Sequence, residues 1–188
     1  MEINEIFDTL QDVAVRLNDL GVEYMVTGSV AMSSYVPARA TMDIDVIIEI
    51  DTADIKRFEE RFAGDYYVDL KSIERARYRC SMFNVINWTT GIKVDFIPRK
   101  RTRFEAAKFE RRRRTSVGSI EFWVISKEDL ILSKLSWAKD SHSERQFEDV
   151  SRLIESGADE RMIEREIAAE DLIEVWTVYQ EWKTRSGK

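Results

Sequence analysis

A chain of 188 residues with 44% hydrophobic content can bury a sizeable core, and its formal charge of −6 argues against a broad nucleic-acid-binding surface. The single Cys80 excludes an internal disulfide and fits a reducing cytosol, and one Cys with one His gives no zinc-ligand spacing. No apolar run approaches the ~18 residues needed to span a bilayer, and Met1-Glu-Ile-Asn is no secretion signal, so a cytoplasmic protein without membrane association is expected.

The elements follow in chain order. Ile3, Ile6, Phe7, Leu10, Val13, Ala14 and Leu17 repeat at helical period, with Gly21 as a stop. A strand is expected at 23–27, a short helix after Ser29, a strand at about 43–50, and a helix near 53–62 that ends at Gly64. Further strands are expected near 66–70, 80–88 and 92–97, then a helix near 102–110 and a strand at 121–125. Helices near 127–139, 143–156, 159–168 and 170–183 complete the pattern. The fold class is α/β (α+β): a mixed sheet flanked by helices, residues 1–125, with a helical C-terminal region, residues 126–188, packed on that core. No Pro/Gly/Ser-rich linker, repeat or low-complexity tract interrupts it.

The chemistry begins at Asp43-Ile44-Asp45. Residues two apart on a strand share a face, so both carboxylates project together while Ile44, Val46 and Ile48 face the core. Two adjacent anions cost free energy unless a cation neutralises them, and hard oxygen ligands suit Mg²⁺ or Mn²⁺. Just upstream, Thr27-Gly28-Ser29 reads as a strand-to-helix junction, where backbone N–H groups and a hydroxyl suit phosphate; Gly-Ser is also an ordinary turn and cap. In Gly91-Ile-Lys-Val-Asp-Phe-Ile-Pro98, alternation sets Val94 and Phe96 on one face and Lys93, Asp95 and Ile97 on the other. Asp43, Asp45 and Asp95, on two strands expected to be neighbours, suit two metal ions about 3.5–4 Å apart, the arrangement used for in-line phosphoryl displacement. Asp95 also suits the role of proton acceptor for an attacking hydroxyl.

Thr27-Gly28-Ser29, Asp43-Ile44-Asp45-Val46 and the distant Asp95 together resemble the nucleotidyltransferase superfamily of DNA polymerase beta and the aminoglycoside nucleotidyltransferases. Thr27 is less apolar than the family norm. Ser126–Lys139 followed by Glu144–Leu153, with Arg39 and Thr41 leading into the paired acids, looks like the AbiEii/AbiGii-type branch. That branch includes the toxins of bacterial toxin–antitoxin and phage-defence systems. The resemblance covers roughly residues 23 to 155. It implies a Mg²⁺-dependent transfer of a nucleoside monophosphate from an NTP, and an antitoxin protein as a partner. It also implies nucleotide contacts at Gly28, Ser29, Arg39, Lys134 and Asp149, with Lys134 on the β- or γ-phosphate.

The residues of the helical half admit plainer readings as well. Ser126 suits an N-cap with Asp129 three residues on. Lys134 shares a stripe with Leu130 and Trp137 and reads either as a phosphate contact or as a snorkelling surface lysine. Asp149, with Arg145 and Arg152 on its helix face, reads as a surface ion-pair ladder or as the group that orients Lys134. His142, in a polar stretch, reads as exposed and incidental.

Charge is uneven along the chain. Residues 99–114 hold nine basic residues, Arg99 through Arg114, against Glu105 and Glu110, and Arg75, Arg77 and Arg79 alternate ahead of the strand at 80–88. Four consecutive arginines, Arg111 to Arg114, are expected to wind around a helix beside the proposed site and to attract an NTP or an RNA acceptor; no DNA partner is expected. A solvated face is the plainer reading. Two rival functions remain at this level: a non-catalytic NTP-binding or interaction module, against which Asp95 stands, and a small-molecule modifier of the aminoglycoside kind, whose acidic pocket the basic run does not supply.

Overall fold

The computed structural model describes residues 3–37, 41, 43–117, 120–141 and 143–187. Two compact units divide the chain: one runs to Ser34 and resumes after Pro37 up to Ile125, and the other takes Tyr35–Pro37 and Ser126 onward.

In the first unit the amphipathic helix α1 (Ile3–Leu20) ends at Gly21, whose φ of +68° is the left-handed stop that glycine adopts without strain. It buries Ile6, Leu10, Val13, Ala14 and Leu17. Strand β1 (Glu23–Thr27) passes directly into the short helix α2 (Gly28–Met32). Next come β2 (Asp43–Glu49), α3 (Ile55–Phe62), the two-residue β3 (Tyr66–Tyr67), α4 (Leu70–Arg79), β4 (Phe83–Asn87), β5 (Lys93–Pro98), α5 (Arg103–Glu110), β6 (Arg113–Val117) and β7 (Ile120–Val124). The seven strands form one mixed sheet in the order β3-β4-β5-β2-β1-β7-β6. The β2/β5 and β1/β7 pairs are parallel and the others antiparallel.

Alternation decides what each face carries. Ile44, Val46 and Ile48 of β2 and Val94 and Phe96 of β5 are fully buried. Phe96 meets the rings of Phe58 and Phe62 of α3 edge-on and stacks on Phe83 of β4, with centroids 5.2, 5.9 and 5.3 Å away. Burying such a ring contributes about 1.5–3 kcal/mol, so this cluster fixes α3 against that face. The residues between, Asp43, Asp45, Lys93 and Asp95, are thereby driven to the opposite face.

Two segments differ from the sequence expectation. The strand expected at 66–70 stops at Tyr67, because the Asp69 carboxylate caps the Lys71 N–H and starts helix α4, which carries Arg75, Arg77 and Arg79. Its buried residues, Ile73 and Ala76, sit at helical spacing that the alternating arginines obscured. Arg113 and Arg114 lie not on a helix but on the edge strand β6, paired through Arg114↔Trp123 to β7. An edge strand needs no apolar face of its own, so periodicity did not reveal it.

The second unit packs α6 (Lys127–Ser141), α7 (Glu144–Glu155), α8 (Glu160–Ala169) and α9 (Ile173–Arg185) together. Phe147, Tyr179 and Trp182 form its aromatic centre, where the Ser151 and Tyr179 hydroxyls hydrogen-bond at 3.0 Å. Ser126 and Asp129 cap α6 as expected, the Asp129 N–H donating to the Ser126 hydroxyl at 3.2 Å. No helix among the described residues is long and apolar enough to cross a membrane.

Candidate active site

Strand register assembles the acids. Across the antiparallel β1/β2 pair Thr27 faces Asp45, and across the parallel β2/β5 pair Asp45 faces Asp95 while Asp43 faces Lys93. Directly opposed residues share a face, so two strands, β2 and β5, present Asp43, Asp45 and Asp95 together next to the β1–α2 junction. Gly28 at that junction has φ +64°, and a Cβ there would lie 1.9 Å from Asp45 Oδ2. Only glycine lets the turn and the carboxylate approach this closely. Ser29 follows in the first turn of α2, half-buried.

Asp95 is 5% exposed. Its Oδ2 accepts from Lys93 Nζ at 2.8 Å, whereas its buried Oδ1 has no hydrogen-bond partner. The same ammonium lies 3.5 Å from Asp43 Oδ1, whose side chain is about half exposed. The hydrogen bond to Asp95, followed by the charges of Asp95 and Asp43, raises the Lys93 pKa above its ordinary value despite partial desolvation. Lys93 is the site residue that sequence reading passed over. Its signal was present, since a residue two before Asp95 on a strand must share its face.

The donor set fits a hard divalent cation: three carboxylates on one face, one of them with a buried oxygen lacking a partner, and a second held against a glycine. Among the described residues no three potential ligands already converge at coordinating distance. Carboxylates without a cation repel, and Lys93 occupies the position between two of them.

The remaining sequence candidates are not on this sheet face. Lys134 and Asp149 belong to the helical unit, where Nζ meets Asp149 Oδ2 at 2.7 Å and Gln146 Oε1 at 3.3 Å. Both side chains are under 7% exposed, which rules out a snorkelling lysine and a surface ladder. Arg152 instead donates to the Pro37 carbonyl. Arg39 and His142 lie outside the described residues.

The basic run does not sit beside the carboxylates. Arg99 follows the C-terminal end of β5, about 13 Å of strand beyond Asp95. Much of its charge is met locally: Arg99 pairs with Glu49, Arg101 with Asp51, Lys108 with Glu105 and Arg114 with Glu121. Arg112 pairs with Glu23 and lies over the rings of Phe109 and Trp123, 4.4 and 4.8 Å from their centroids.

The mixed sheet, with a Gly-Ser junction and three carboxylates in register on β2 and β5, defines a nucleotidyltransferase-type core. The chain belongs to the family described as nucleotidyltransferase of unknown function (DUF6036), whose model matches residues 2–153. Solved structures share the fold. A candidate nucleotidyltransferase from Thermotoga maritima superposes with a TM-score of 0.55 at 18% identity, covering 77% of this chain and 92% of its own. The antibiotic-resistance factor ANT(2″)-Ia, in complex with adenylyl-2″-tobramycin, gives 0.58 at 11%, covering 97% and 99%. The lincosamide antibiotic adenylyltransferase LnuA, bound to lincomycin, gives 0.51 at 16%, covering 81% and 96%. No curated protein matches the sequence.

Proposed function

We propose that this nucleotidyltransferase transfers a nucleoside monophosphate from an NTP to an acceptor hydroxyl, releasing pyrophosphate, with Mg²⁺ or Mn²⁺ held by Asp43, Asp45 and Asp95. The observation that carries this reading is the alignment of Asp45 with Asp95 on parallel strands, with a buried Asp95 oxygen left unpartnered. A bound divalent cation would supply positive charge to the phosphates and lower the cost of the developing negative charge.

The protein's own groups account for the rest. The acceptor oxygen forms a bond to the α-phosphorus while the bond from that phosphorus to the bridging oxygen breaks, and pyrophosphate leaves with the electron pair. The hydroxyl proton passes to the Asp95 carboxylate, which is buried and short of a donor. Gly28 clears the space in which Asp45 sits, and Ser29 continues the turn toward the triphosphate. Lys93 neutralises Asp43 and Asp95 and would yield that place to a cation held by the same carboxylates. Arg39, Lys134 and Asp149 keep the nucleotide-binding roles that the family resemblance implies. So does the AbiEii/AbiGii-type setting with its antitoxin partner, which growth arrest on expression, relieved by a neighbouring gene product, would test.

The direct experiment incubates the protein with each α-³²P-labelled NTP, Mg²⁺ and total cellular RNA, beside an Asp43→Ala/Asp45→Ala control. Label entering RNA or protein with the wild type alone supports the proposal and identifies the base and acceptor. Absence of Mg²⁺-dependent NTP binding overturns it.

A further inference from the structure

The face that carries the carboxylates continues past them. Register places Asp43, Lys93, Ile86 and Tyr67 in one row across β2, β5, β4 and β3, and Asp45, Asp95 and Asn84 in the next. Tyr66, the neighbour of Tyr67, is buried on the helix-covered face against Phe62, so Tyr67 must point to the acid-bearing face. There Tyr67 is 48% and Trp88 64% exposed. Their rings meet edge to face at 5.8 Å, and the Trp88 backbone N–H donates to the Asp65 carbonyl just before β3. Half-buried Ile86 and exposed Asn84 lie between this pair and Asp95.

These aromatics contribute little to the core, which on this flank is supplied from the other face by Phe58, Phe62, Phe83 and Phe96. Their position is set by the same ladder that sets the carboxylates. From β5 to β3 is two strand spacings, about 10 Å, a span that one or two nucleotide units bridge.

We propose that Tyr67 and Trp88 form the acceptor subsite, a stacking platform for a nucleobase near the end of a single-stranded RNA. Ile86 is its floor, and Asn84 offers an amide to the base or ribose on the way to Asp95. A π-face recognises any base, so the platform gives affinity without strict sequence preference. The inference rests on the nucleotidyl-transfer reading for its role but not for its binding.

The test measures binding of a fluorescein-labelled single-stranded RNA oligomer by anisotropy, and of ATP with Mg²⁺ by calorimetry. The proteins are wild type, Tyr67→Ala, Trp88→Ala, the double variant and Trp88→Phe. From the worth of stacking one base, Trp88→Ala should weaken RNA binding about 5- to 150-fold, and Trp88→Phe should recover part of it. ATP binding should stay within about twofold, because the platform lies two strands from β5. A double variant that binds RNA as the wild type does, or a wild type that ignores RNA while binding ATP, overturns the platform and leaves nucleotidyl transfer standing. RNA binding without any NTP binding sinks nucleotidyl transfer and leaves the platform.

Discussion

Two ionic clusters in the sheet unit are almost equally buried and differently completed. Arg16, 7% exposed, donates from Nε to Asp12 at 2.8 Å, and through its other nitrogens to Asp65 and the Arg61 carbonyl. It lies over the rings of Phe62 and Tyr66, and the Tyr66 hydroxyl closes the cluster by donating to Asp12 at 2.7 Å. Asp95, at 5%, has one oxygen on Lys93 and the other on nothing. A buried polar group left short costs about 1–3 kcal/mol, so a fold carries the shortage only where something else is served. The closed cluster pins α1 to α3 and β3; the open one is where the proposed cation would be held.

The widest break between them should come from Asp95→Asn. Transfer should fall about 100- to 10,000-fold through loss of the proton acceptor and of a charged ligand, with the melting temperature within a few degrees of wild type. Single-turnover labelling beside a thermal melt checks both halves, and gross unfolding would count against the site. Arg16→Met should do the reverse. It should destabilise by about 2–3 kcal/mol, at the low end of a buried-pair loss because Asp12 and Asp65 still reach solvent, with transfer per folded molecule unchanged. Urea titration at matched folded fractions distinguishes the two.

Gly28→Ala joins the two behaviours, since the new methyl enters the space of Asp45 Oδ2 at a left-handed φ. A loss of about 1–2 kcal/mol in stability should accompany a fall in Mg²⁺-dependent ATP binding. Lys93→Met should tighten Mn²⁺ binding about fivefold, the worth of one partly buried pair of about 1 kcal/mol, as read by calorimetry. Unchanged affinity would mean that Lys93 does not compete with the cation.

The smallest effect concerns alkaline pH. Burial, and next the hydrogen bond to Asp12, push the Tyr66 phenol well above its ordinary value. A group with a raised folded pKa gives its full stabilisation below the unfolded value near 10 and loses it as pH rises through the folded one. Wild type should therefore lose more stability than Tyr66→Phe as pH rises above about 10, with both flat near neutrality.

Much of this was legible before the fold. Asp43 and Asp45 declare a shared face because the strand period is two, and the helix stripe from Ile6 to Leu17 and the stop at Gly21 follow from local geometry. Helix α4 was obscured because arginines at 75, 77 and 79 mimic a strand alternation, although Asp69 already held the cap. Strand β6 left no apolar signal, since pairing with β7 is what makes it a strand.

Residue order alone therefore singled out the groups proposed to carry the chemistry: three aspartates, a Gly-Ser turn and the alternation that sets them on one face. Only the tertiary structure decided their pairings. It set Lys93 between Asp43 and Asp95, and buried Lys134 against Asp149. It also drew Arg99 and Arg101 into pairs at the far end of β5, and aligned Tyr67 with the carboxylates across four strands. Period is a property of neighbouring residues, whereas register and ion pairing are fixed by strands and helices distant in sequence, through hydrogen-bond ladders that no local pattern encodes.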